Sequence, residues 1–236
     1  MSADTGRIAV VSGASGGLGR EIALELGRRG YALALLGRSQ GALEKVLQAA
    51  GGSGLAMLCD VRDPAAVGRA ATRVLAELGD PEVLVLAAGA AHVAALEETS
   101  EEDFVAVLET NLTGSFHLLR AFLPALRRRP RAWILPLLSV AARRGFPGWS
   151  AYCASKAGLA GLLSALREEL RGSAVAVTAL YPGATATGLW DALPGAWDRK
   201  AMIPPSEIAR AVGYVLDADP AVAIEEIHLR PAGGDL

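Results

Sequence analysis

The chain has 236 residues, a formal net charge of −2, and is 52% hydrophobic and 20% charged. A chain of this length buries roughly 70–75% of the surface its unfolded form exposes, so disorder and small disulfide- or metal-stapled scaffolds are excluded. The near-neutral charge offers no general attraction for nucleic acid or anionic membrane, and neither is expected as a partner.

The longest apolar stretch, Val83 to Leu96, is interrupted by His92 and falls short of the ~20 residues of a membrane span. Residues Met1 to Arg7 lack the basic start and apolar core of an export signal. Cys59 and Cys153, the two cysteines, then read as free thiols in a reducing compartment, and a cytoplasmic location is the expectation.

In chain order, short Val-, Ile- and Leu-rich runs alternate with longer amphipathic ones. Strands are expected at Ile8 to Ser12, Ala32 to Gly37, Gly54 to Cys59, Val83 to Ala87, Trp133 to Ser139, Val175 to Tyr181 and Ile227 to Arg230. Helices are expected at Leu18 to Arg29, Gly41 to Gln48, Pro64 to Leu78, Glu101 to Arg128, Ala151 to Arg171 and Ser206 to Leu216. Most strand runs are apolar throughout, as a strand covered on both faces requires. The pattern predicts an α/β fold: one Rossmann-type domain over residues 1–236, a doubly wound, seven-stranded parallel sheet with helices on both faces. Asp63 before Pro64, and Ser100 followed by Asp103, are expected helix caps. Residues 183–205, with Trp190, Trp197, three prolines and three glycines, form an irregular stretch of the length typical of a lid.

The first strand runs into Gly13, Ser15, Gly16, Gly17, Leu18 and Gly19, at the mouth of a helix. Glycines there allow a tight turn and close backbone approach to a pyrophosphate at a helix N-terminus. At the tip of the second strand, where an acid would hold a ribose 2′-hydroxyl, stand Arg38 and Ser39; a guanidinium suits a 2′-phosphate, favouring NADP(H) over NAD(H). Asp60 and Val61 end the third strand, where the carboxylate either accepts from an adenine amino group or caps a turn. Tyr152 and Lys156 share one helix face. The ammonium is expected to lower the phenol pKa and fit it for proton exchange with a carbonyl or alcohol oxygen, which Ser139, thirteen residues before Tyr152, would hold.

With these motifs in this order, the chain resembles the short-chain dehydrogenase/reductases, in their single-domain, NADP-preferring group. The likeness runs from Ser12 through Tyr181, Pro182 and Gly183 to the C-terminal Leu229 to Leu236. It implies Ser139, Tyr152 and Lys156 as catalytic residues, Lys156 also bonding the nicotinamide ribose, and Asn111 holding a water in a proton relay. A helix kink is the alternative reading of Asn111. It further implies cofactor contacts from Ala88 and Gly89, from Pro182, Gly183 and Thr185 beside the carboxamide, and from Thr187 near the pyrophosphate. One departure is Leu86-Ala87, where the family usually has two asparagines; contacts by those amide side chains cannot be made.

The implied activity is NADP(H)-dependent transfer of hydride between nicotinamide and a small-molecule carbonyl or secondary alcohol, in a homodimer or homotetramer. A non-catalytic NADP-sensing regulator, or an epimerase or dehydratase, is the alternative. The three histidines have no metal-like spacing, so no metal is expected. Substrate contacts are expected from His92, Ala141, Arg143, Phe146, Trp149 and Trp190. The aromatics suggest an apolar or aromatic pocket and Arg143 or Arg144 an acid group, and the sequence does not choose.

Overall fold

The computed structural model describes residues 6–195 and 197–234. Residues 1–5, Ala196 of the expected lid, and Asp235 and Leu236 of the C-terminal motif lie outside them. All seven predicted strand runs form strand. β1 (Ile8–Ser12), β2 (Ala32–Gly37), β3 (Gly54–Leu58), β4 (Val83–Leu86), β5 (Ala132–Pro136) and β6 (Val175–Val177) make one sheet in the order β3-β2-β1-β4-β5-β6, every pair parallel.

The sixth run divides at Thr178 into β6 and β7 (Ala179–Pro182), and β7 pairs in parallel with β8 (Glu226–Leu229). Proline causes the break. Alternate residues of the β5 run turn their N–H toward this neighbour, Ala132 to the Ala174 carbonyl (2.9 Å) and Leu138 to that of Leu180 (2.8 Å). Pro136 falls in the same series and has no N–H to give. Register is the same on both sides, Ile134 opposite Val177 and Leu137 opposite Leu180.

The helices are α1 (Gly17–Arg28), α2 (Gln40–Ala49), α3 (Pro64–Glu77), α4 (Glu101–Leu108), α5 (Gly114–Leu126), α6 (Ser150–Glu169) and α7 (Pro205–Asp217). Asp63 caps α3 by accepting from Ala65 N (2.8 Å), and Ser100 caps α4 by accepting from Asp103 N (3.0 Å). The two-residue alternation of side chains sorts the sheet into two cores. Val10, Leu84, Ile134 and Leu36 pack against α3, α5 and α6 through Val74, Phe122 and Leu163. Ala9, Val11, Val85 and Leu135 pack on the other face against α1, α2 and α7 through Leu26, Leu43 and Val212.

Strand order reverses between β1 and β4, both pointing the same way. The crevice beyond their C-terminal ends is where ligands bind in such sheets. It places the turn after Ser12, the loop after Leu86 and the segment after Pro136 around one opening.

Candidate active site

That opening is a cavity of about 480 Å³. At one end lies the glycine turn. Gly13 has φ +66, and a Cβ there would come within 2.7 Å of the Ala87 and Ala88 backbone, so glycine is required where the β1 and β4 loops meet. Gly16 faces open space, and its neighbour Gly17 has φ +52. The N-terminus of α1 has no side-chain cap and no acid in its first turn. Its free N–H groups and positive dipole end are therefore left for an anion. Gly19 lies beneath, packed on Gly13.

Arg38 lines the same end, exposed. Asp60 and Val61 are beside it. The Asp60 carboxylate is held below its ordinary range first by hydrogen bonds from Arg62 (2.7 Å from Nη2), and Arg38 adds to the effect. Ser39 begins α2, outside the cavity wall.

The loop after β4 is held without the family's two asparagines. Ser12, fully buried, donates to Val85 O (3.2 Å) and accepts from the N–H groups of Ala87 (3.1 Å) and Ala88 (3.3 Å). Leu86 is buried in the core on the α3, α5 and α6 side. Ala88 and Gly89 reach the cavity.

At the other end Ser139, Tyr152 and Lys156 converge on the cavity wall. Tyr152 and Lys156 sit one turn apart at the start of α6, the Lys156 ammonium 5.6 Å from the phenol ring centre. Lys156 is buried and donates to Leu137 O at 2.7 Å. Burial moves both groups, in opposite directions. It pushes the Tyr152 phenol up to about 12, with Ser139 pulling it down, and the Lys156 ammonium down to about 8. The expected lowering of the phenol by lysine is not found: desolvation, which penalises whichever form carries charge, raises the phenol, and Ser139 is what pulls it down. Tyr152 is neutral at pH 7 and able to donate a proton.

Asn111 is fully buried in a five-residue π-helical turn, Glu109–Thr113, between α4 and α5. Its Oδ1 accepts from Ala90 N (2.8 Å), and its Nδ2 donates to Ala90 O (2.9 Å) and Ser155 Oγ (2.8 Å). Ser155 in turn donates to Tyr152 O at 2.7 Å. The bonds make Asn111 a clamp between the loop after β4 and the turn carrying Tyr152. Both amide protons are engaged in that clamp, and the long helix predicted at Glu101 to Arg128 runs from Glu101 to Leu126, widened at this residue into the π-helical turn.

Pro182, Gly183, Thr185 and Thr187 also line the cavity, with Thr187 against Gly17 of the glycine turn. The segment after them is pinned at both ends of its path by Ala186 N to Ile203 O (3.0 Å) and Ile203 N to Ala184 O (2.9 Å). Ala141, Phe146, Trp149 and Trp190 all line the cavity as expected. Arg143 does not: it is ion-paired with Glu226 (2.6 Å) and donates to Tyr181 Oη (3.1 Å) on the β7–β8 side. His92 also stands off the wall, its Nδ1 3.9 Å from Asp103. Trp197, Leu189 and Thr110 line the cavity without having been expected there; a second tryptophan in the lid was the available signal for Trp197.

A parallel α/β fold with a glycine turn and a Ser-Tyr-Lys cluster around one switch-point cavity defines a Rossmann-type protein with the groups of an oxidoreductase site. The family model for short chain dehydrogenases matches residues 7–195. Sepiapterin reductase of Chlorobaculum tepidum is 34% identical over 97% of this chain and 98% of its own. The 3-oxoacyl-[acyl-carrier-protein] reductase FabG of Escherichia coli is 31% identical over 97% of each. An alcohol dehydrogenase from the archaeon Thermococcus sibiricus, solved with 5-hydroxy-NADP, superposes with a TM-score of 0.88 at 35% identity, covering 96% of this chain and 97% of that one. The chain belongs to the short-chain dehydrogenase family of oxidoreductases.

Proposed function

We propose that this protein is an NADP(H)-dependent carbonyl reductase or alcohol dehydrogenase with Tyr152 as its general acid and base. The observation that carries this reading is the meeting of Ser139, Tyr152 and Lys156 at one end of a cavity whose other end is the uncapped glycine turn. The residues present fit a dinucleotide phosphate. Gly13, Ser15, Gly16, Gly17 and the N-terminus of α1 would take the pyrophosphate, Arg38 the 2′-phosphate, and Asp60 and Val61 the adenine. Ala88 and Gly89, with Pro182 to Thr187, would enclose the nicotinamide half, and Lys156 would bond its ribose. When bound, the nicotinamide supplies the two-electron chemistry that no side chain provides.

The side chains handle the oxygen and the proton. Ser139 holds the substrate oxygen, and Tyr152, half-buried and neutral at pH 7, gives that oxygen its proton in reduction and takes one in oxidation. Lys156 places positive charge beside the phenol. Asn111 ties the loop after β4 to the turn that carries Tyr152, through Ala90 and Ser155. Residues 183–205 act as the lid over the substrate within this single domain. We further propose a cytoplasmic homodimer or homotetramer; exposed Val105 and Phe116 on α4 and α5 are the apolar surface that supports association, and light scattering tests it.

The test of the central reading is NADPH oxidation with Tyr152→Phe beside the unaltered protein. The variant is expected to lose roughly 10²–10⁴-fold in rate, the contribution of a positioned acid, while binding NADPH unchanged. Undiminished turnover in the variant removes Tyr152 from its role, and tight NADPH binding with no turnover on any carbonyl moves the reading to a sensor.

A further inference from the structure

The substrate end of the cavity is walled by a run of aromatic rings that begins at the reacting phenol. Trp149 meets Tyr152 edge-on, centres 5.5 Å apart at 69°, and Trp190 at 5.8 Å and 62°; Trp190 then meets Trp197 at 4.7 Å and 54°. The Trp190 indole is fixed by donating Nε1–H to Thr185 O at 2.8 Å. Phe146 adds a further ring to the wall.

Charge is confined elsewhere. Among the described residues lining the cavity, the charged ones are Arg38 and Asp60 at the glycine-turn end and Lys156 beside Tyr152. Arg143 is spent on Glu226, and the lid's Arg199 on Asp191 (2.6 Å) and the Thr187 carbonyl. A carboxylate or phosphate carried away from the reacting oxygen would lie among these rings, with Lys156 the cation at this end among the described lining residues and held beside Tyr152, at a large desolvation cost. A planar ring finds faces and edges in the tilted geometry that aromatic pairs favour.

We infer that the substrates are neutral aryl ketones or aldehydes, with the carbonyl at Ser139 and Tyr152 and the ring against Trp149 and Trp190. This rests on the proposed carbonyl-reducing role of Tyr152. Of the two arginines that the sequence offers for an acid group, Arg143 is ion-paired with Glu226 and Arg144 lies over the Phe146 ring, outside the cavity lining; the inference takes the aromatic pocket.

The experiment compares an aryl methyl ketone, its cyclohexyl counterpart and an aryl keto acid, by initial rates with NADPH and by calorimetric titration. The titration uses the corresponding alcohols against Tyr152→Phe loaded with NADP⁺, and so reads binding without turnover. The aryl ketone is expected to exceed both others at least tenfold in kcat/KM, and its alcohol to bind at least tenfold tighter. Trp190→Leu and Trp149→Leu are each expected to raise KM for the aryl ketone about tenfold and that of the cyclohexyl ketone by less, so that the aryl preference narrows; an unchanged preference overturns the inference.

Equal or better use of the cyclohexyl ketone or the keto acid, still abolished by Tyr152→Phe, overturns the aryl inference and leaves the reductase standing. If no carbonyl is reduced although NADPH binds, the reductase reading fails by itself. The titration then decides the pocket: tenfold aryl preference supports it, and none overturns it.

Discussion

Burial acts on Tyr152 and Lys156 in opposite directions because the phenol is neutral when protonated and the lysine neutral when not. Carbonyl reduction needs the protonated phenol, present below about 12, and the charged lysine, present below about 8. We therefore expect kcat/KM for reduction to be level near neutral pH and to fall above about 8, read from a pH-rate profile. A profile still level at pH 10 would remove Lys156 from the active form. The same burial costs stability wherever Lys156 is charged in both folded and unfolded chains, below its folded value of about 8, and the cost fades as pH rises through it. Lys156→Met is accordingly expected to abolish activity yet raise Tm at pH 7. At the far end of the cavity, Arg38→Asp replaces attraction by repulsion toward a 2′-phosphate. It should swing the ratio of NADPH to NADH affinity by roughly 10–100-fold toward NADH, the worth of a charged hydrogen bond. Ser12→Ala leaves the Ala87 and Ala88 N–H groups without their acceptor and should cost about 1–3 kcal/mol in a urea melt.

At the level of elements, two residues decide what periodicity alone does not. Asn111 sits where the long predicted helix widens into a π-turn, its buried amide bonded to two other segments, Ala90 after β4 and Ser155 on α6. π-turns often mark functional sites, and this one aligns the loop bearing Gly89 with the turn bearing Tyr152. Asn111→Ala strips those bonds and is expected to destabilise by roughly 2–4 kcal/mol and to speed amide exchange at Ala90; unchanged exchange would show that the clamp holds nothing. Pro136 deletes one rung of the sheet, and the sixth predicted strand becomes β6 and β7. The residue was plain in the sequence, but whether its missing N–H faced β4 or β6 depended on register.

For the whole molecule, one sheet serves two cores, so neither helical layer has a separate folding unit. Phe122→Ala on one face removes a fully buried ring and should cost roughly 3–5 kcal/mol. Leu26→Ala on the other should cost roughly 2–5 kcal/mol. Each variant is expected to unfold in a single transition, with far-UV dichroism and tryptophan fluorescence coincident; separate transitions would show the layers to be independent.

Order along the chain was enough for the strand-helix alternation, the caps at Asp63 and Ser100, the glycine turn and the Ser139, Tyr152 and Lys156 set. Each depends on neighbours a few residues apart or on a strand end, and parallel topology brings strand ends to one edge. Tertiary structure alone decided the fates of groups whose partners are distant in sequence. Arg143 is taken up by Glu226, 83 residues away, and Asn111 by Ala90 and Ser155. The tryptophans meet only because the segment after β7 returns to the N-terminus of α6. The direction of the Tyr152 shift belongs with these, since spacing places a lysine near a phenol but only packing sets how much water either keeps.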